Sequence, residues 1–76
     1  RENRIRSGLI VVNVDPNSPA EIAGLKVSDI IVQIGYQRIE DIRQYDAYVR
    51  QLRGQKPIAL RFYRGGNAYF TTLEIN

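Results

Sequence analysis

The chain contains no cysteine and no histidine in its 76 residues. Without cysteine, neither a disulfide nor a thiolate metal site can staple the fold. Without histidine, the commonest general base, the commonest metal ligand and any serine–histidine pair are absent from this chain. Ser7, Ser18 and Ser28 therefore have no such partner, no lysine stands in a serine–lysine motif, and the acidic residues lack metal-loop spacing. The expectation is a non-catalytic domain that needs no cofactor and no metal. Long hydrophobic runs are lacking too: no stretch approaches the roughly 20 apolar residues that cross a bilayer, and "RENRIRSG" does not open a signal peptide.

What is present is an ordinary globular composition, 43% hydrophobic and 25% charged, enough for one small domain. The net charge of +3 permits weak attraction to nucleic acid or anionic membrane without establishing it. Arg1, Arg4, Arg6, Arg50, Arg53, Lys56, Arg61 and Arg64, with Tyr36, Tyr63 and Tyr69, would be the material for a single-strand-binding surface. Eight acidic residues are interspersed and no nucleic-acid motif is present, so the basic residues read as a solvated surface.

The local signals alternate between strand and helix. "GLIVVNV" is a short β-branched run, and Asp15, Pro16 and Asn17 supply a turn after it. Ser18 as N-cap, Pro19 at the first helical position and Glu21 three residues on make a capping box, and Gly24 stops the helix after barely two turns. A buried strand follows, with Ile30, Val32 and Ile34 expected on one face and Ile31 and Gln33 on the other. Gly35-Tyr36 reads as a two-residue hairpin turn with glycine first, leading into a short "QRI" return. Asp41 and Gln44 form a capping pair for a second helix over 41–53, with Ile42, Tyr45, Val49 and Leu52 at helical spacing. Gly54 and Pro57 end it. "PIALRFYR" alternates Ile58, Leu60 and Phe62 against Ala59, Arg61 and Tyr63, and Gly65-Gly66 turns the chain into "AYFTTLEI". The order strand, short helix, strand, longer helix, strand, strand predicts a mainly β, α+β domain: a small, partly open antiparallel barrel or sandwich capped by two helices. The short helix would be held by packing rather than by its own length.

"GLIVVNVDPNSPAEIAGLKVSDIIVQIGYQRI" resembles the core of a PDZ domain, most recognisably in "VNVDPNSPAEIAGL" followed by Asp29 at the head of an apolar strand. The later helix and "LRFYRGG" resemble the circularly permuted bacterial form found in HtrA/Deg-type serine proteases, site-2-type metalloproteases, C-terminal processing proteases and secretion proteins. The resemblance covers about residues 8 to 75, so 8–76 is expected to be the PDZ-like domain and 1–7 an N-terminal extension or the remnant of a preceding strand. It implies a module that takes an extended C-terminus or hydrophobic segment as an added strand beside the second helix, its carboxylate held by backbone N–H groups. Aligned with the family's second helix, the groove-facing positions fall on Ile42, Asp46 and Val49. Ile42 and Val49 would line the pocket for the last apolar side chain, and Asp46 would face a basic or hydroxyl side chain upstream. Periodicity alone reads Ile42 and Val49 as core and Asp46 as a solvated charge; the resemblance sets the groove reading beside it.

Three departures from the family pattern stand out. The Leu/Ile-Gly-Ile/Phe/Val loop is not found, and "RENRIRS" carries no glycine. "LKVSD" replaces the frequent Leu-x-Pro-Gly-Asp, and Gly35-Tyr36 stands where Asn-Gly is common; both changes are expected to be tolerated. The resemblance implies a parent in the bacterial envelope, periplasmic or membrane-tethered, in which this domain recognises substrates or regulates a protease. The alternative is a structural docking domain, contacting other domains or subunits of its parent without binding free C-termini.

Overall fold

The structure is a computed structural model that describes residues 8–75. Its elements are β1 (Leu9–Ile10), α1 (Pro19–Ile22), β2 (Ile30–Ile34), β3 (Gln37–Arg38), α2 (Ile42–Leu52), β4 (Ile58–Arg64) and β5 (Asn67–Leu73). All strand pairs are antiparallel, in the order β1-β2-β4-β5, with β3 paired to β2.

Both helices start where their caps predict. The Glu21 N–H donates to Ser18 Oγ at 3.2 Å, and Glu21 Oε1 accepts from the Asn17 N–H at 2.7 Å. The Gln44 N–H donates to Asp41 Oδ1 at 2.9 Å, and Gln44 Oε1 accepts from the Glu40 N–H at 2.6 Å. In each case the return bond reaches one residue before the N-cap, so the loop leading in is fixed together with the first turn. The turn at Gly35-Tyr36 closes β2 on β3 with Ile34 opposite Gln37. Gly35 has φ 59, and a Cβ there would lie 2.5 Å from Ile58 Cδ1. Only the first turn position needs that backbone, so tyrosine is accommodated at the second.

β1 is shorter than the predicted strand. Regular pairing is confined to Leu9 and Ile10, although the Val11 N–H still donates to the Asp29 carbonyl at 2.8 Å. The face assignment of β2 also needs correction. Ile31 and Ile34 are the buried residues, whereas Ile30 and Val32 are only partly buried. The reason is a bulge: Ile31 faces Phe62 and Gln33 faces Arg61, so Val32 is an extra residue and the alternation resets.

The core gathers Leu25, Ile31, Ile34, Ile39, Leu60, Phe62, Leu73 and Ile75, with Tyr45, Tyr48, Val49 and Leu52 of α2 packed against it. The alternation of β4 is as predicted: Leu60 and Phe62 are buried, and Ala59 and Arg61 exposed.

"LKVSD" is not conformationally neutral. Ser28 has φ 81, in the left-handed region where a Cβ costs roughly 1–2 kcal/mol. Its N–H donates to the Val11 carbonyl at 2.7 Å, which holds the backbone there. Ser28→Gly is expected to raise the unfolding free energy by about 0.5–1 kcal/mol, the relieved strain less the added freedom of the unfolded chain. A urea midpoint no higher than that of the parent sequence would contradict it.

Candidate functional site

At about 100° per helical residue, Ile42, Asp46 and Val49 fall within about 60° of one another on α2. Tyr45, Tyr48, Val49 and Leu52 form the stripe that meets the core, rotated to one side of the first. Val49 belongs to both stripes and is half-buried. Ile42 is 54% exposed, so this apolar side chain at the start of α2 is not part of the core. Asp46 is exposed. The three residues thus share one helix face running from solvent to the core margin. Burial of the neighbouring Tyr45 raises its hydroxyl pKa above the ordinary value, and the charge of Asp46 adds to that effect.

β1 is the terminal strand on one side of the sheet, and no described strand lies beyond it. Ile10 and Val12 are 55% and 77% exposed along it. The backbone of Val11 is turned toward β2, which leaves the groups of Ile10 and Val12 facing the open edge. A concavity of about 490 Å³ lies elsewhere, where α2 ends and β4 begins, lined by Tyr48, Leu52, Lys56, Pro57 and Ile58 among others. It includes none of the three helix positions singled out from the sequence.

Asp29, at the head of β2, accepts from the Lys26 N–H at 2.8 Å and so closes the turn before the strand. The larger part of its role was not legible in the sequence. Arg64, 35 residues away, donates from Nε to Asp29 Oδ1 at 2.8 Å and from Nη2 to Oδ2 at 2.7 Å. Nη2 also donates to the Gly24 carbonyl at 3.0 Å. The guanidinium stands 5.1 Å from the Phe62 ring centroid and 6.0 Å from that of Tyr69. Those two rings are themselves stacked at 5.8 Å. This fork ties the loop after α1 to the β4–β5 hairpin, and Thr71 Oγ1 donates to the Ala23 carbonyl at 2.8 Å beside it. Arg64 and Tyr69, two candidates for a nucleic-acid surface, are thereby engaged within the fold. No group of three or more acidic side chains suited to a metal ion occurs among the described residues.

Comparison with known proteins agrees with this architecture. A "Probable periplasmic serine endoprotease DegP-like" of Halomonas elongata is 32% identical over 74 residues, which is 97% of this chain and 16% of that protein. "Serine protease HTRA1B" of Danio rerio is 51% identical over 35 residues, 46% of this chain and 7% of that protein. The chain therefore spans only a small part of the proteases it matches. Among solved structures, the HtrA3 PDZ domain bound to a phage-derived ligand (FGRWV) superimposes with a TM-score of 0.79 at 27% identity, covering 92% of this chain and 61% of that one. Residues 1–75 match the PDZ domain family as a whole. With the capped short helix, the five-stranded antiparallel sheet and the second helix all in place, the chain belongs to the PDZ domain family.

Proposed function

We propose that this domain binds extended peptide segments, C-termini or exposed hydrophobic stretches, by strand addition beside α2. The observation that carries the reading is the likeness to a PDZ domain solved with a peptide ligand ending in valine. Strand addition draws affinity from main-chain hydrogen bonds and selectivity from a few side-chain pockets, and needs neither metal nor cofactor. In this reading Ile42 and Val49 line the pocket for the peptide's last apolar side chain, and Asp46 meets a basic or hydroxyl side chain further along. The open edge at Ile10 and Val12 offers outward backbone groups to an added strand, and the domain proper is residues 8–76, with 1–7 an N-terminal extension or the remnant of a preceding strand. The parent is an HtrA/Deg-like envelope protease in which this module selects or regulates substrates while another segment cuts them. The periplasmic naming of the Halomonas elongata relative supports that location.

Exposed apolar side chains at Ile10, Val12 and Ile42 favour one second reading, a docking domain that seats another part of its parent without a free C-terminus. An amide chemical-shift titration separates the two. FGRWV and other hydrophobic-ended peptides are added as free acids and as C-terminal amides. Shifts at Ile42, Asp46 and Val49 are expected with the free acids and lost with the amides. Ile42→Ala is expected to weaken binding about tenfold, the equivalent of ~1.4 kcal/mol of lost apolar contact. If neither peptide set moves these amides, the peptide reading fails and the docking reading takes its place.

A further inference from the structure

The opposite side of the sheet carries a second, better-formed edge. β5 pairs with β4 through seven consecutive residues, Asn67 to Leu73, with no break in register. The connecting turn has Gly65 at φ 60 and Gly66 at φ 84, the two positive values of a type I′ hairpin. Such a turn closes on a hydrogen-bonded pair, here Arg64 and Asn67, and the ladder then alternates. Asn67, Tyr69, Thr71 and Leu73 thus direct their backbone groups to β4, while Ala68, Phe70 and Thr72 direct theirs outward. Among the described residues no strand lies beyond β5, and no loop or turn backbone group bonds to those three.

Folded proteins ordinarily blunt such an edge with charge, proline, a bulge or shortness. β5, "NAYFTTL", has none of these. Phe70 stands 75% exposed in its middle, and Tyr69 is 45% exposed. By contrast, the edge strand β1 has only two regularly paired residues.

We propose that β5 pairs antiparallel with β5 of a second copy of this chain, about a two-fold axis at Phe70. That register sets Phe70 opposite its own counterpart and Ala68 opposite Thr72. Those are the residues whose backbone groups point outward, so the pairing forms about six main-chain hydrogen bonds. Charge selects the second copy as the occupant. A chain of net charge +3 repels itself in most orientations, yet this strand brings no charge to the seam. The nearest cation on the same face, Arg61, sits opposite Phe70 on β4. The two Arg61 side chains are then three strand spacings apart, about 14 Å, beyond the screening length at physiological salt. An acidic or basic segment gains nothing from so neutral an edge, whereas a second β5 supplies the uncharged, β-favouring and aromatic partner that fits it. The edge lies at the far end of the sheet from β1, so the inference does not depend on the peptide-binding reading.

Sedimentation equilibrium of the 76-residue chain over a concentration series, with amide hydrogen exchange on the same samples, tests the proposal. The weight-average mass is expected to rise from 8.7 kDa toward twice that value with concentration. The Ala68, Phe70 and Thr72 amides should gain protection in step. Phe70→Lys places two like charges across the axis at a site already exposed to water. It is expected to remain monomeric with an unchanged far-ultraviolet spectrum. A monomeric parent chain at every concentration overturns the proposal. So does a dimer that survives Phe70→Lys, or one in which those three amides stay unprotected because another surface or partner is used.

Discussion

Leu60→Ala is expected to lower the unfolding free energy by about 3 kcal/mol. Leu60 is 0% exposed and lies opposite Ile34, also 0% exposed, at the end of the β2–β4 pairing nearest the Gly35 turn. On its other side it faces Thr71 of β5, and Phe62 and Leu73 complete its surroundings in the core cluster. Removing its branched side chain forfeits the transfer energy of the buried atoms and opens a cavity that the hydrogen-bonded strands on both sides cannot collapse to fill. The effect is large because the domain is small. At roughly 0.05–0.15 kcal/mol per residue, a chain of this length holds about 4–11 kcal/mol in all. The melting temperature should fall on the order of 15 °C. The exposed neighbour Thr72→Ala should stay within about 0.5 kcal/mol of the parent. Urea unfolding distinguishes the two cleanly: the midpoint of Leu60→Ala should drop with an unchanged slope. A loss as small as that of Thr72→Ala would mean the core has slack that the structure does not show.

The second large effect concerns acid. Asp29 is 1% exposed, and its pKa is held below the ordinary carboxylate value, first by the Arg64 hydrogen bonds, against the opposing cost of burial. Its bond from the Lys26 N–H and the charges of Arg64 and Lys26 act in the same direction as those hydrogen bonds. Because the folded-state value lies below the unfolded one, the native state holds its carboxylate more tightly than the unfolded chain does. The resulting stabilisation is fully present above the unfolded value. It is lost as pH falls from about 4 through the lowered folded value. Asp29→Asn keeps an oxygen for the Lys26 N–H but gives up the charged fork. It is expected to cost about 2 kcal/mol at neutral pH, the Coulombic share trimmed because the Arg64 side chain is 38% exposed. It should also flatten the acid limb of the stability profile, so that the two proteins converge once pH falls below the lowered folded value of Asp29. Parallel profiles for parent and variant, with a constant gap down to pH 2, would show that Asp29 is not the group responsible.

These two sites differ in how far they were legible beforehand. Leu60 could be placed in the core from the alternation of "PIALRFYR", because a seven-residue strand without irregularity obeys its period of two. Asp29 could be assigned to a turn but not to Arg64. The helix positions Ile42, Asp46 and Val49 were chosen by aligning one helix with a family pattern. The structure adds that Ile42 and Asp46 are exposed while Val49 lies at the core margin, which is compatible with a groove wall and distinct from a buried stripe.

By itself the sequence determined whatever depends on a residue and its near neighbours. Ser18 and Asp41 cap helices because their side chains reach N–H groups three residues on. Gly35, Gly65 and Gly66 set hairpin turns because the required φ is positive. The family resemblance rests on the same local blocks, which is why it held across the chain. The tertiary structure alone decided the rest. The bulge at Val32 puts Ile31 in the core beside Ile34, in place of Ile30 and Val32, because its register is set against β4, nearly 30 positions later. Ser28 is driven to φ 81 by the pairing of its N–H with Val11. The Asp29–Arg64 fork, and the open edges at β1 and β5, follow from which strands become neighbours. Local propensity extends over a few residues, whereas these features exist only once distant segments have been brought into hydrogen-bonding range.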